Sequence, residues 1–300
     1  MELHQLRYFL AVANIRSFTR AAQHEHVAQP SLSQQIRKLE DELGGRLFDR
    51  LGRKIKLTRL GEQFQKHARR VLAEVEGARQ EAASMLGLRR GSVSVGAIPT
   101  LAPYLLPPVL AAFARAWPGI AVNVREDLTN ALLAQLVDGE LDLALLSLPV
   151  RRPDVLGEPL FSEAMLLAVP TRHRLWRRGV RRVSLREVAQ EPFLLLKDGH
   201  CFRDDVVQIC KRSRLNPRVT FEGGQFDTLV AMVAAGAGIT LLPEMARAHY
   251  RHAGVGLLEL GPPQPTRTVG VVRVKHKFLT PAMQAFIEVL KGICASRQIN

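Results

Sequence analysis

The stretch that decides the fold is "SFTRAAQHEHVAQPSLSQQIRKLEDELGGRLFDR", residues 17–50. Ser17 is a typical N-cap and predicts a short helix that ends near Gln23. After a turn at residues 25–27, Pro30 suits the first turn of a second helix. That helix has an apolar stripe at helical spacing, formed by Ile36, Leu39 and Leu43. Two short helices joined by a tight turn predict a helix-turn-helix module.

The polar residues that open the second helix are candidates for contacts with DNA. A recognition helix presents its N-terminal polar side chains to base edges in the major groove. Gln pairs well with adenine and Arg with guanine, whereas Ser reaches bases or phosphates. The candidates are Gln29, Pro30, Ser31, Ser33, Gln34 and Arg37. An ordinary surface helix with polar residues is the alternative that this stretch alone leaves open.

The residues that follow extend this module. "LFDRLGRKIKLTRLG", residues 47–61, predicts a small hairpin with Arg50 and Arg53 near its tip, where a wing would meet phosphates. From Thr58 to about Gly87, apolar residues at helical spacing predict one long helix. Because this helix is too long for the core of a small domain, we expect it to pair with a second copy.

The charge distribution favours a polyanionic partner. The 300 residues carry a net charge of +14, and residues 1–90 hold 17 Lys and Arg against 10 Asp and Glu, a net +7. The first third is therefore more than twice as basic per residue as the remainder. A merely solvated basic surface is the alternative. No signal peptide and no apolar run of bilayer length is visible, so we expect a cytoplasmic protein without membrane contact.

The sequence shows neither a typical metal-binding motif nor a common enzyme motif. Its three cysteines do not make a disulfide framework, and no second Cys/His cluster completes a zinc site. We therefore expect no metal and no cofactor. No motif typical of hydrolases or nucleotide-dependent enzymes appears, which argues against an enzyme. The basic run Arg172–Arg182 is typical of a solvated loop, with a secondary DNA or partner contact as the alternative.

Strand and helix patterns alternate after a short basic hinge that precedes residue 91. Strands are predicted at Val93–Gly96, Val122–Arg125, Leu141–Leu146, Met165–Val169, Phe193–Leu196, Val219–Phe221, Ile239–Leu242, Val255–Leu258 and Thr268–Val274. Such alternation is typical of α/β sheets with parallel strands, whose ligands lie at the carboxyl ends of the strands. Thr100 and Thr129 each follow a strand and open a helical segment. They are candidates to bind a small polar ligand, and simple N-capping is the alternative for each.

The stretch "KDGHCFRDDVVQIC", residues 197–210, holds two of the cysteines. Cys201 follows a strand at a helix entry, and exposed amides there, with His200 and Arg203 nearby, predict a lowered thiol pKa. If one helix continues to Cys210, the thiols are separated by about 13–14 Å along its axis and face opposite sides. A disulfide requires Cα atoms within about 7 Å, so this bond would require the helix to unfold. Two buried structural cysteines are the alternative.

Phe9–Gly61 matches the pattern "FxxVAxxxSFxxAAxxxxxxQPxLSxQIxxLExxLGxxLFxRxxRxxxLTxxG" nearly throughout and so resembles the LysR-type transcriptional regulators. The departures are Glu25 in the turn and Leu60 before Gly61. The resemblance implies an α/β protein with an N-terminal winged helix-turn-helix, a long linker helix and a bilobed, periplasmic-binding-protein-like effector domain. The implied limits are 1–58 for the DNA-binding domain, 59–90 for the dimerisation helix and hinge, and 91–300 for the effector domain, with lobe I at 91–163 and 267–300 and lobe II at 164–266.

Within that family, "DGHCFRDDVVQIC" is similar to the redox segment of hydrogen-peroxide sensors. The likeness implies that Cys201 is the peroxidatic cysteine and Cys210 the resolving one, and that Thr100 and Thr129 hold peroxide. It implies supporting roles for His200, Arg203, Asp204 and Arg267. Cys294 is expected to be a packing residue.

The resemblance also implies partners. These are double-stranded promoter DNA, RNA polymerase, hydrogen peroxide as effector, and further copies of the chain in a tetramer built as a dimer of dimers. Two alternatives stay open at this point. In the first alternative, the effector is a small metabolite, such as a carboxylate, that binds between the lobes. In the second, the chain is a thiol peroxidase-like enzyme. The N-terminal module and the lack of a CxxC motif argue against the enzyme.

Overall fold

The computed structural model describes residues 1–51, 54–85, 91–275 and 277–297. The chain divides into two compact units. The N-terminal unit comprises Met1–Arg90 with Val137–Glu140, and the C-terminal unit comprises Gly91–Leu136 with Leu141–Asn300.

The N-terminal unit is a winged helix-turn-helix followed by a long helix, as predicted. Its elements are α1 (Leu3–Ile15), α2 (Phe18–His24), α3 (Gln29–Leu43), β1 (Phe48–Leu51), β2 (Lys54–Leu57) and α4 (Arg59–Met85). The Ser17 hydroxyl caps α2 by accepting a hydrogen bond from the backbone N–H of Arg20 at 3.3 Å. Helix α3 ends at Gly44, whose φ of +70° lies in the left-handed region that favours glycine. Strands β1 and β2 pair antiparallel as the wing.

An aromatic cluster holds this unit together. Phe9 packs against Phe48 and Phe64 with ring centroids 5.3 and 5.2 Å apart, and Phe18 contacts Phe48 at 5.6 Å. Burying each such side chain contributes about 1.5–3 kcal/mol. Since Phe64 lies near the start of α4, the long helix is anchored on this core. Farther along α4, Val71 is 40% exposed.

The C-terminal unit alternates strands and helices. Its strands are β3 (Gly91–Ala97), β4 (Ile120–Glu126), β5 (Leu143–Leu148), β6 (Val155–Pro170), β7 (Arg182–Val183), β8 (Pro192–Leu196), β9 (Arg218–Gly223), β10 (Thr240–Pro243), β11 (Val255–Leu260) and β12 (Thr266–Val274). Its α-helices are α5 (Ala102–Ala116), α6 (Thr129–Val137), α7 (Arg174–Arg177), α8 (Cys201–Arg212), α9 (Phe226–Ala235), α10 (Arg247–Tyr250) and α11 (Pro281–Arg297).

One long strand, β6, runs through both lobes. Among the described residues, eight strands form a sheet in the order β4-β3-β5-β12-β6-β11-β7, with β10 also paired to β6. Strand β6 pairs with β12 as far as Ala164, and it pairs with β10 from Met165 onward. One strand therefore contributes to the sheets of both lobes, as the bilobed fold class requires. The exact limits of the lobes stay a prediction.

The start of β6 is the main element that the sequence did not reveal. The prediction covered Met165–Val169, whereas the strand begins at Val155. Its first half contains Gly157 and Pro159 and is largely exposed, so it lacks the apolar run that marks a buried strand. Antiparallel pairing with β12 keeps it extended across a register shift at Val269/Gly270.

The basic run Arg172–Arg182 is more ordered than a solvated loop. It contains α7 and the first residue of β7. Arg172 donates to the carbonyl of Ala235 at 2.7 Å, and Arg182 pairs with Glu259 at 3.0 Å. These contacts bind the run to the C-terminal end of α9 and to β11.

Candidate functional site

The approach to α8 depends on a glycine. Strand β8 ends at Leu196, and Gly199 has a φ of +94°, a conformation that L side chains rarely adopt. A Cβ at this position would also approach the Leu128 side chain at 3.1 Å. Gly199 therefore allows the chain to turn and places Cys201 as the first residue of α8.

Cys201 is a half-buried free thiol whose pKa is set by competing effects. Burial is the largest effect and raises its pKa, and the nearby charge of Asp205 raises it further. The Thr129 hydroxyl, the charge of Arg267 and the backbone N–H of Ser147 oppose this rise because they favour the thiolate. The predicted lowering of the thiol pKa is therefore wrong. Removal from water outweighs the amides at the helix start.

A buried arginine connects several residues near Cys201. Arg267 on β12 is 3% exposed, and its Nε donates to Oε1 of Glu163 at 2.8 Å. Its Nη1 donates to the hydroxyl of Thr100 at 3.1 Å, and its Nη2 donates to the carbonyl of the same residue at 3.1 Å. The guanidinium also lies 5.1 Å from the ring centroid of Phe202, the residue after the thiol. Arg267 thus links Thr100 to the first turn of α8.

Neither threonine acts as a helix cap. Thr100 precedes the N-cap Leu101 of α5, and its hydroxyl accepts the bond from Arg267. Thr129 is the first residue of α6, and its buried Oγ1 has no hydrogen-bond partner within the described part of the chain. That hydroxyl lies close to Cys201 and favours its thiolate. A buried hydroxyl next to a thiol, with bonding capacity left over, is suited to a small polar ligand.

His200 is the N-cap residue of α8, immediately before Cys201, and it is buried. Burial, followed by the charge of Lys197, lowers the pKa of His200, so the neutral imidazole is favoured. His200 and Thr100 line a cavity of about 200 Å³. Tyr104 and Tyr250 also line this cavity, and their hydroxyls are 3.3 Å apart.

The second cysteine of the pair lies on the opposite face of α8. Cys210 is fully buried in the apolar core of lobe II, and burial raises the pKa of Cys210 to about 11. Cys210 is nine positions after Cys201 in one continuous helix, which corresponds to about 13–14 Å of axial rise. The two thiols therefore cannot bond while α8 is intact. Cys294, on α11, is also buried.

Two of the predicted supporting residues, Arg203 and Asp204, are not among the groups that act on the Cys201 thiol. Arg203 pairs with Asp198 at 2.8 Å and Glu222 at 2.6 Å, and it donates to the carbonyl of Leu196 at 3.0 Å. These contacts fix α8 to β8 and β9. Asp204 is exposed on the outer side of the helix. The charges that act on the Cys201 thiol are instead those of Asp205 and Arg267.

Asp205 and Ser147 are site residues that the sequence reasoning missed. The hydroxyl of Ser147, on β5, donates to Oδ2 of Asp205 at 3.2 Å. The helical period was a usable signal for Asp205, because the residue four positions after Cys201 lies on the same face of the helix. No comparable signal marks Ser147, because its proximity depends on how β5 and α8 pack.

The predicted recognition residues lie along the start of α3. Gln29, Pro30, Ser31, Gln34 and Arg37 are exposed, and the partly exposed Ser33 accepts a hydrogen bond from Nε2 of Gln29 at 2.9 Å. This leaves a polar face available for base edges. The side chain of Arg50 and the whole of Arg53 lie outside the described residues.

Two further features concern metals and membranes. Within the described ranges, no group of three or more His, Cys, Asp and Glu side chains is arranged to hold a metal ion. Among the described helices, none combines the length and the apolar character that a bilayer crossing requires.

A winged helix-turn-helix unit and a bilobed α/β unit with a polar crevice define a class of two-domain bacterial transcription regulators. The chain belongs to the LysR family. Residues 3–62 match the family described as "Bacterial regulatory helix-turn-helix protein, lysR family", and residues 86–295 match "LysR substrate binding domain".

Several named members of this family are similar to the chain over most of its length. The chain is 40% identical over 273 residues to the "Hydrogen peroxide-inducible genes activator" of Dickeya chrysanthemi, covering 91% of this chain and 89% of that protein. It is 38% identical over 304 residues to the "DNA-binding transcriptional dual regulator OxyR" of Escherichia coli, covering 97% and 99%.

Solved structures of OxyR proteins are also similar to this chain over nearly its whole length. A full-length OxyR variant from Pseudomonas aeruginosa matches 98% of this chain and 94% of its own with a TM-score of 0.80 and 34% identity. A peroxide-bound OxyR cysteine mutant of Corynebacterium glutamicum matches 98% and 92% with a TM-score of 0.65 and 30% identity.

Proposed function

We propose that this chain is a transcription regulator that senses hydrogen peroxide through Cys201 and Cys210 and controls oxidative-stress genes. The observation that carries the proposal is the placement of these thiols on one helix. Cys201 is half-buried at the first turn of α8, next to the cavity-lining His200, whereas Cys210 is buried in the core on the opposite face. A bond between them is therefore also a conformational change. The peroxide-responsive names of the relatives support the same function.

The chemistry has two steps. The Cys201 thiolate attacks one oxygen of peroxide, so that an S–O bond forms, the O–O bond breaks and the departing oxygen leaves as water after protonation. The sulfur is oxidised to sulfenic acid, and the peroxide is reduced. Cys210 then attacks the sulfenic sulfur, a second water leaves, and a disulfide forms.

The crevice residues have distinct roles in this scheme. The hydroxyls of Thr100 and Thr129 hold the two peroxide oxygens, and Arg267 stabilises the thiolate and the developing negative charge. His200 covers the site as a neutral ring. Arg203 positions the start of α8 through its acidic partners, and we retain a supporting role for Asp204 only through its charge, which acts on Asp205.

Disulfide formation must dismantle the packing of α8. Phe202 packs edge-to-face against Phe226, with ring centroids 4.9 Å apart, and its ring centroid lies 5.1 Å from the Arg267 guanidinium. Unwinding the start of α8 displaces this ring and breaks these contacts. Part of the lobe II core must then repack. A repacked surface gives the effector domain a second state that can change how the DNA-binding units are presented.

The partners follow from the same proposal. The N-terminal unit binds double-stranded promoter DNA through α3, with the predicted wing residues Arg50 and Arg53 on phosphates. Two copies pair through α4, whose Leu60 and Val71 are 41% and 40% exposed in the single chain. The effector domains join two such dimers into a tetramer, which contacts RNA polymerase in the cytoplasm. The chain acts as a regulator and not as an enzyme.

The direct test is thiol mapping after one equivalent of peroxide. We expect the reduced protein to have three free thiols and the oxidised protein to contain a Cys201–Cys210 disulfide with Cys294 still free. Cys201 remaining a free thiol would contradict the proposal. Repeated turnover of peroxide with a reductant would instead favour the thiol peroxidase.

The cavity of about 200 Å³ supports a second candidate, a small-metabolite sensor, because one water occupies only about 30 Å³. Glu126 and Asp227 line this cavity, so a neutral or cationic ligand fits better than the carboxylate expected from the sequence. The candidate requires a metabolite to change DNA binding while Cys201 stays reduced.

A further inference from the structure

A carboxyl group lies directly beside the reactive thiol. Asp205 is four residues after Cys201 in α8, so their Cβ atoms are about 5–6 Å apart on one face of the helix. Ser147 joins the two groups. Its hydroxyl donates to Oδ2 of Asp205 at 3.2 Å, while its backbone N–H favours the Cys201 thiolate. Ser147 on β5 therefore interacts with both the Asp205 carboxyl and the Cys201 sulfur.

The surroundings of this carboxyl make it a stronger base than an exposed carboxylate. Burial raises the pKa of Asp205, and the charge of Asp204 raises it further, whereas Ser147 and Arg267 oppose the rise. Arg267 is itself paired with Glu163, which reduces its net effect. The groups that face Asp205 therefore come from α8, β5, β6 and β12. Together with burial they raise its pKa, so its carboxylate accepts a proton more readily than an exposed one does.

We propose that Asp205 is the proton-transfer residue of peroxide reduction, which takes the proton from the Cys201 thiol and returns it to the departing oxygen. This inference rests on the proposed function. The departing oxygen of peroxide needs a proton to leave as water. Asp205 is the carboxyl group whose charge acts on the Cys201 sulfur, so it is placed to supply that proton.

The step balances without another reactant. The Asp205 carboxylate accepts the thiol proton, which gives a thiolate and a neutral carboxyl. The thiolate attacks peroxide, the S–O bond forms and the O–O bond breaks. The leaving hydroxide takes the proton back from Asp205 and departs as water. One thiol and one peroxide become one sulfenic acid and one water, and Asp205 ends as it began.

A purely electrostatic role would give the opposite result on substitution. A carboxylate beside the thiol raises its pKa, so Asp205→Asn would then lower the pKa of Cys201 and speed its oxidation. Loss of a proton-transfer residue slows the reaction by about 10²-fold or more. The two roles therefore predict changes of opposite sign.

The experiment compares two electrophiles in the full-length protein carrying Cys210→Ser, which isolates the first step. Sulfenic acid formation with peroxide is followed by stopped flow across pH. Alkylation by iodoacetamide is the parallel measurement, since its leaving iodide needs no proton. We expect Asp205→Asn to slow the peroxide reaction about 10²-fold with alkylation unchanged or faster. Asp205→Glu should restore part of the peroxide rate.

Two comparison variants sharpen the result. Asp204→Asn removes the neighbouring charge that raises the pKa of Asp205 and keeps the Asp205 carboxyl in place, so it should change the peroxide rate far less than Asp205→Asn does. Ser147→Ala loosens the carboxyl without changing any charge. The second should lower the peroxide rate selectively even if Asp205→Asn fails to fold. The inference is overturned if Asp205→Asn reacts with peroxide as fast as its parent, if both electrophiles slow equally, or if Asp204→Asn shows the same loss. If the parent forms no sulfenic acid at all, the proposed function itself fails.

Discussion

Among single side chains, Cys201 illustrates how burial and polar neighbours compete. The start of α8 provides exposed amides, and Thr129, Ser147 and Arg267 add further stabilisation of the thiolate. Burial still raises the pKa, because the sulfur is largely removed from water. In such a low-dielectric environment each remaining polar contact has a large effect on reactivity.

The raised pKa has a defined consequence for pH dependence. The thiolate fraction grows tenfold with each pH unit below the pKa, so oxidation should accelerate as pH rises through neutrality. Since the folded-state pKa lies above the unfolded value, the folded protein holds this proton more tightly. The corresponding stability is present below the unfolded pKa and is lost as pH rises toward the folded pKa.

Thr129→Val should raise the pKa of Cys201 further. The substitution removes a hydroxyl that favours the thiolate and keeps the shape of the side chain. A hydrogen bond to a charged group contributes about 1.5–3 kcal/mol, so oxidation at neutral pH should slow about 10- to 100-fold. The measurement is the pH profile of alkylation, with the exposed Thr171→Val as the matched control. An unchanged profile would remove Thr129 from the site.

Cys210→Ser should separate the two chemical steps. Cys201 should still be oxidised at nearly the parental rate, but the sulfenic acid should accumulate because no resolving thiol remains. Trapping with a sulfenic-acid reagent and mass spectrometry measures this directly. Cys294→Ser is the control, since that buried thiol lies on α11 and should leave both steps intact. Rapid disulfide formation by another pair would contradict the assignment.

For the helices and strands, the sequence predicted what depends on local pattern. Ser17 and Pro30 mark the starts of α2 and α3, and the structure confirms both roles. The first half of β6 was missed because its stability comes from pairing with β12 and not from an apolar run. Asp205 was missed although its spacing was informative, and the contact with Ser147 exists only after folding.

Arg37→Ala tests the predicted role of α3. Arg37 is exposed on the helix that carries the other polar candidates, and a bidentate contact with guanine contributes about 1–3 kcal/mol of discrimination. We expect weaker binding to the promoter and a reduced preference for it over random DNA in a titration. Arg53→Ala is the comparison variant, because a phosphate contact should weaken binding to all sequences and reduce the salt slope by about one. An equal loss on both DNAs for Arg37→Ala would contradict base recognition.

For the molecule as a whole, function requires more than one chain. Val71→Glu places a charge on the uncovered apolar part of α4, so it should dissociate the proposed pairing of these helices. Sedimentation should show a tetramer for the parent and smaller species for the variant. Lys66→Glu is the control, because it puts the same side chain at an exposed polar position of α4. A parent that sediments as a monomer at micromolar concentration would contradict the proposed assembly.

The central claim is that one covalent bond in the effector unit changes DNA binding. The most direct measurement is a footprint of the full-length protein on its promoter before and after stoichiometric peroxide, with the thiols mapped in the same samples. We predict that the footprint changes only when Cys201 and Cys210 are bonded, and that Cys201→Ser keeps the reduced footprint in peroxide. The claim is contradicted if the footprint is identical in both redox states, or if it shifts while Cys201 remains a free thiol.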